Sequence, residues 1–313
     1  MKESYGDAYL YKISTNEWET IIGKGSKKEP NQPSNRNSCT VNYDSKKNRI
    51  VMYGGADENG PLGDVYFFDI EKRAWEKPQI KGSFTPVARE MHTAIIYHGV
   101  LDFPDVKIEN KTEQKKEKTI DLNFGTGIVT QTPETEEETQ PEKTTTTTNS
   151  QEETKIDEKS EPEKPKDEKK PSSYLIVFGG RYVDEMSSEV LALDLETLEW
   201  KFLCNMPVKL CTHATEIAGD RVFIYGGTDG AQLLDTLYSF DLKTKKWYIY
   251  VEKKINNEQI RLPRIASSLC YHEENDELIV YGGLSYMGID ADDDLYFLPL
   301  GDSFSKNFHK LKI

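Results

Sequence analysis

Tyr53-Gly54-Gly55, then Asp64-Val65-Tyr66-Phe67-Phe68-Asp69, then Trp75: this stretch decides the fold, because the chain repeats it. The double glycine recurs at Gly179-Gly180 and Gly226-Gly227. In all three copies an aspartate follows the second glycine by 14 residues (Asp69, Asp194, Asp241) and a tryptophan follows it by 20 (Trp75, Trp200, Trp247). Three copies without slippage mean stacked copies of one supersecondary unit.

Each copy reads as four short strands. An apolar run ends in the double glycine at residues 49–55, 174–180 and 221–227, with a fourth at 277–283. After a polar loop comes a second run (64–69, 189–194, 235–241, 294–298), then a tight turn and the tryptophan, which opens a third. Upstream lies one more run, at 37–43, 211–217 and 265–271, with 87–98 as its counterpart in the remaining copy. Short runs rich in Val, Ile, Tyr and Phe and bounded by turn residues are strands. Four strands per copy, at a period of roughly 50 residues, indicate the blades of a β-propeller. The glycines allow close backbone approach and positive φ where strands crowd together. Trp18, Trp75, Trp200 and Trp247 are expected to pack between sheets as core.

These residues carry a family resemblance. The double glycine, the aspartate and the tryptophan at these spacings resemble a kelch repeat, and Arg89-Glu90-Met91-His92 resembles its arginine-then-histidine opening, with Arg36 and Arg264 in matching places. The last copy departs by lacking the tryptophan, where Phe304 or Phe308 could substitute. The copy at Cys211-Thr212-His213 departs by having Leu210 in place of the arginine. The expected fold is therefore all-β: a kelch-type β-propeller of four complete blades plus a half blade. The half blade comes from the N-terminal Asp7-Ala8-Tyr9-Leu10-Tyr11 and Trp18, which match the third and fourth strands of a repeat, while residues 309–313 read as the last strand of the final blade. The half blade leaves an open edge, which invites pairing with other chains. The expectation is an incomplete ring: a fragment, or a ring completed by a partner or a second copy. The rival is a five-bladed ring borrowing strands from residues 119–130.

The repeat grammar stops across residues 99–172, dividing the chain into propeller segments 1–98 and 173–313. That insert holds 19 Asp and Glu against 12 Lys and Arg, with the run Thr144 to Thr148. It is expected to be disordered, because so few apolar residues cannot offset the entropy of ordering. The net charge of −14 argues against nucleic-acid and membrane partners. With neither a signal peptide nor an apolar stretch long enough to span a bilayer, the chain reads as cytoplasmic. Cys39, Cys204, Cys211 and Cys270 form no CxxC pair and read as free thiols.

No catalytic constellation is legible, and no metal or cofactor is implied. His92 and His213 occupy equivalent repeat positions, and His98, His272 and His309 are scattered. The resemblance extends to a copper oxidase that needs a tyrosine–cysteine crosslink and paired histidines, and that set cannot be assembled here. The carboxylates at Asp290, Asp292, Asp293 and Asp294 read as a solvated acidic rim. What the resemblance implies instead is a protein-binding face, built from the loops after each second strand and those entering each first strand. By position these supply Arg36, Asn37, Asp57, Arg89, Arg181, Tyr182, Thr228, Asp229, Arg264, Ser285 and Tyr286. Arginine and tyrosine commonly anchor interfaces. Arg36, Arg89 and Arg264, being repeat-consensus residues, also read as braces between loops. The expected function is a non-catalytic interaction module for a protein partner, with self-association through the open edge. The alternative is a small-molecule enzyme using the central cleft.

Overall fold

A computed structural model describes residues 6–22, 31–104, 170–250, 263–285, 295–300 and 308–310. All belong to one compact unit, Met1–Thr112 with Lys169–Ile313. A second unit, Glu113–Glu168, lies outside the described residues, as do residues 105–169 of the insert for which disorder is expected.

The described residues form strands, turns and loops with no helix. A two-stranded sheet opens the chain: β1 (Ala8–Lys12) and β2 (Glu17–Ile22). The first full blade contains β3 (Thr40–Asp44) and β4 (Arg49–Tyr53). A small ribbon of β5 (Ala56–Asp57) and β6 (Gly60–Pro61) follows, and then β7 (Val65–Asp69) and β8 (Ala74–Glu76) complete the blade in the order β3-β4-β7-β8. The second blade is β9 (Thr93–Gly99), β10 (Ser172–Phe178), β11 (Glu189–Asp194) and β12 (Glu199–Asn205). The third is β13 (Ala214–Ala218), β14 (Arg221–Tyr225), β15 (Leu237–Asp241) and β16 (Lys246–Tyr250). The fourth is β17 (Ser268–His272), β18 (Glu277–Tyr281) and β19 (Leu295–Pro299), and β20 (Phe308–Lys310) comes last. All pairings between named strands are antiparallel, so each blade is a meander, as short turns between sequential strands require. This is a β-propeller arrangement.

The apolar runs are continuous because both faces of each sheet are covered. Alternate residues of β10 go to opposite neighbours. Leu175 and Val177 pack with Val51, Tyr53, Val65 and Phe67 of the first blade, while Ile176 and Phe178 pack with Val222, Ile224 and Phe240 of the third. The same period of two sends Phe223 and Tyr225 of β14 against Leu278 and Val280 of the fourth blade. Each seam between blades is thus a small core of its own.

Backbone hydrogen bonds stitch the seams at their inner ends. The amides of Gly55, Gly180 and Gly227 donate to the carbonyls of Arg89, Leu210 and Arg264 in the following blade, at 3.0, 2.8 and 2.7 Å. A Cβ on Gly179, whose φ is +57°, would stand 2.5 Å from the Leu210 carbonyl oxygen, so the position admits only glycine. Met91, Thr212 and Ala266 donate back to Ser38, Met91 and Thr212 at 3.1, 2.9 and 2.8 Å. All four of these residues have φ between 51° and 57°, a left-handed conformation held here by the hydrogen bonds on either side. The repeated aspartates cap the third hairpin of each blade: Asp194 accepts from the amides of Glu196 and Thr197, and Asp241 from those of Lys243 and Thr244.

Three expectations need correction. Trp200 and Trp247 are buried and Trp75 half-buried, but Trp18 is 72% exposed. The repeat tryptophan reaches the blade before it, as the Tyr53–Trp200 ring contact at 4.9 Å shows, and no described residue stands in that place for Trp18. The terminal strand does not complete its own blade. β20 pairs with β16 of the preceding one, Tyr248↔Lys310 through Tyr250↔Phe308; the side chains of Phe304 and Phe308 lie outside the described residues. The blade also continues past residue 99: Leu101 is buried in the seam core and Phe103 packs against Tyr174.

Candidate functional site

The two families of loops meet at one end of the strands, blade after blade, through the same backbone bridge. Asn37 pairs with Ala56, Glu90 with Arg181, Cys211 with Thr228 and Ile265 with Leu284, each by two N–H···O bonds of 2.8–3.1 Å. Each bridge clamps the loop entering the first strand to the loop leaving the second, so the loop tips share a rigid base. The end of β9 and the start of β10, paired at Gly99↔Ser172, lie at the opposite end of the strands.

Under this face sit the consensus arginines. Arg36 donates to the Gly54 carbonyl at 3.0 Å and to Asp64 at 2.6 Å. Arg89, 0% exposed, donates to the Gly179 carbonyl at 3.1 Å and to Glu189 at 2.8 Å. Arg264, 1% exposed, donates to the Gly282 carbonyl at 2.9 Å. A guanidinium can brace carbonyl and carboxylate together because its donors are fixed in a planar fork. These three arginines therefore shape the floor of the face from below and do not stand on it. Their acid partners, Asp64 and Glu189, open the second apolar runs; each stands 10 residues after the first glycine of its pair, and that spacing is the signal that identifies them.

Tyr182 joins the same network. Its hydroxyl donates to Glu189 at 2.6 Å, and its ring lies 5.2 Å from the Arg89 guanidinium carbon. Burial, reinforced by the Glu189 carboxylate, pushes the Tyr182 phenol up to about 12. Burial alone would raise the Glu189 carboxyl, but the hydrogen bond from Tyr182 and the charge of Arg89 hold it below the usual range. Arg181 is half-buried and paired with Glu90 at 2.6 Å. Thr228 and Asp229 organise their own loop: Thr228 donates to the Gln232 carbonyl and Asp229 accepts from the amides of Ala231 and Gln232. Asp57 likewise accepts from the Asn59 amide and from Ser34. Asn37 is exposed, Ser285 is half-buried, and Tyr286 lies outside the described residues. Sequence reasoning missed the apolar tips Val183 and Leu284, both exposed on this face, and the carboxylates of Glu58, Asp184 and Glu185.

Along the inner strands runs a cleft of about 280 Å³ lined by Thr40, Asn42, Thr93, His213, Thr215 and Ser267 among others. His213 Nε2 lies 2.8 Å from the Thr93 hydroxyl, and His92 Nε2 lies 3.1 Å from that of Thr40, so each histidine reaches the blade before its own. Burial pushes both imidazoles down to about 3, with the Arg89 charge adding to the effect at His92, so both are neutral. The cleft's lining includes neither a carboxylate nor an arginine. Among the described residues no three His, Cys, Asp or Glu side chains gather as a metal site.

A propeller of antiparallel blades, seamed by double glycines and presenting braced loops at one end, defines a repeat protein of the interaction-module type. Residues 2–101 match the KLHDC2/KLHL20/DRC7 Kelch-repeats domain, and residues 209–252 match the Kelch motif. The chain carries kelch repeats over these two segments. It is 32% identical over 112 residues to Kelch domain-containing protein 2 of Bos taurus, covering 34% of this chain and 26% of that protein. It is 33% identical over 96 residues to Dynein regulatory complex subunit 7 of Chlamydomonas reinhardtii, covering 30% of this chain and 8% of that one. Host cell factor 1 of Rattus norvegicus is 41% identical over 51 residues, which are 16% of this chain and 2% of its own length. The chain thus spans at most about a quarter of these relatives.

Proposed function

We propose that this chain is a non-catalytic protein-binding module whose partner docks on the bridged loop face and presents basic and apolar side chains. The observation that carries the reading is the charge of the loop tips. Asp57, Glu58, Asp184, Glu185 and Asp229 project from three successive blades. Among the described residues the cations nearby are engaged: Arg181 with Glu90, Lys209 with Glu185 at 3.9 Å, and the buried arginines with their carbonyls and carboxylates. A face of one sign steers and selects partners of the other, and exposed Val183 and Leu284 supply apolar contact between the charges. The partner-facing members of the site are Asn37, Asp57, Arg181, Tyr182, Thr228, Asp229 and Ser285, with Arg36, Arg89 and Arg264 as positioning residues.

The rival, an enzyme in the central cleft, draws less support, because a lining of hydroxyls around a neutral histidine lacks a charged acid–base pair. Affinity capture from lysate of the cells that make the protein, read by cross-linking mass spectrometry, tests the proposal. With Asp184→Lys/Asp229→Lys the captured partner should fall at least tenfold, and with Lys46→Glu/Glu273→Lys, in turns at the other end of the strands, it should persist. Retention by the first variant and loss by the second would overturn the assignment.

A further inference from the structure

Among the described residues lie both halves of a seam that none of them completes. At the three seams it does make, the trailing face of one blade places a fixed set of residues against the next. Tyr53, Phe178 and Tyr225 end the second strands, and Val65, Val190 and Leu237 open the third; all are at most 2% exposed. The fourth blade has Tyr281 and Leu295 at these same positions, paired opposite each other on β18 and β19, with Phe297 two residues on; they are 50%, 53% and 52% exposed. The glycines agree. A Cβ on Gly54, Gly179 or Gly226 would meet a carbonyl of the following blade at 2.5–2.7 Å, whereas at Gly282, with φ +66°, nothing among the described residues lies within 4 Å. The fourth blade thus keeps the glycine that lets another blade approach, with none there among the described residues.

The mating half is on the same chain. At the seam between first and second blades, the trailing Tyr53 meets the leading Trp200, and Trp247 fills the next seam in the same way. Trp18 holds that repeat position on β2. Its ring is tilted against Tyr11 of its own sheet with centroids 4.9 Å apart and is 72% exposed, with Tyr9 and Ile13 also exposed. We infer that the trailing face of the fourth blade in one copy of the chain packs on the Trp18 face of β1 and β2 in a second copy, Tyr281 against Trp18, repeating the Tyr53–Trp200 contact head to tail. Such a contact is heterologous: the two copies use different patches, so the assembly has a direction.

That direction supplies the test. The mass of the full chain in solution, measured by light scattering during size exclusion between about 1 and 100 μM, should rise to two copies or more. Trp18→Glu and Phe297→Glu should each reduce it to one. An equimolar mixture of the two variants should regain a two-chain species, since one contributes an intact fourth blade and the other an intact Trp18. Hydroxyl-radical oxidation of Trp18 and Tyr281 in the unaltered chain should fall as concentration rises, and this readout does not depend on any variant folding. A single-chain mass throughout, whether Trp18 reacts freely or is shielded at every concentration by closure within one chain, would overturn the inference. So would variants that associate normally or a mixture that stays monomeric.

Discussion

Replacing Gly179 by alanine, with Gly219→Ala as its partner experiment, separates the cost of backbone conformation from the cost of the seam. Both glycines are left-handed, with φ +57° and +59°, but a Cβ at Gly219 meets nothing within 4 Å. A non-glycine residue in that conformation costs about 1–2 kcal/mol, and this is the whole expected effect at Gly219. At Gly179 the added methyl would lie 2.5 Å from the Leu210 carbonyl and 2.7 Å from Met206 Cε. The methionine can turn aside, but the carbonyl is fixed by its hydrogen bond from Gly180 at 2.8 Å. Overpacking against it adds about 1–3 kcal/mol, and losing that bond adds about 1 kcal/mol. The expected totals are about 3–6 kcal/mol for Gly179→Ala and about 1–2 kcal/mol for Gly219→Ala. Urea unfolding followed by tryptophan emission, with the buried Trp200 and Trp247 as reporters, reads both. If the two variants lie within 1 kcal/mol of each other, the double glycines are not there for blade contact and the account of the seams fails.

Three other consequences are open to measurement. Trp247, buried and stacked on Phe240 with centroids 4.6 Å apart, should cost about 3–5 kcal/mol when changed to alanine, and a midpoint shift within error would remove it from the core. Arg89→Met should destabilise by about 1–3 kcal/mol, because it leaves the buried Gly179 carbonyl without its guanidinium donor and Glu189 with hydroxyl donors alone; Arg89→Lys should recover only part of the loss, and full rescue by lysine would refute the forked brace. His213 has a folded value of about 3 against an ordinary 6.5, so between these limits the unfolded chain binds the extra proton and stability falls as the pH drops below about 6.5. At pH 5 this amounts to about 2 kcal/mol for His213. His213→Gln should therefore flatten the change in stability between pH 7 and pH 5, and an unchanged slope would contradict its burial in the neutral form.

The blades could be read from the chain because their determinants are local in sequence. A strand needs its own apolar run, the cap of a hairpin needs its own aspartate, and the double glycine has one fixed spacing to both. The bracing role of Arg36, Arg89 and Arg264 was legible for the same reason. Trp18 was misread because its burial depends on the blade before it, which no residue near it in sequence specifies. The pairing of β20 with β16 was invisible because any free sheet edge satisfies a short strand's hydrogen bonds, and only the three-dimensional arrangement selects one. On the loop face, the residue types of Arg181 and Tyr182 drew attention. Their engagement by Glu90 and Glu189 depends on neighbouring loops that the bridges bring together.

Site-resolved amide hydrogen exchange tests the stacking of blades most directly. The amides of Gly180 and Thr212 donate only across seams, to Leu210 and Met91 of neighbouring blades. With docked blades they should exchange within about tenfold of the Ile176 amide in the middle of β10, since opening a seam then requires parting a packed apolar core. Exchange of Gly180 and Thr212 at the rate of an open loop, while Ile176 stays protected, would show blades that fold singly and do not dock, and would contradict the stacking.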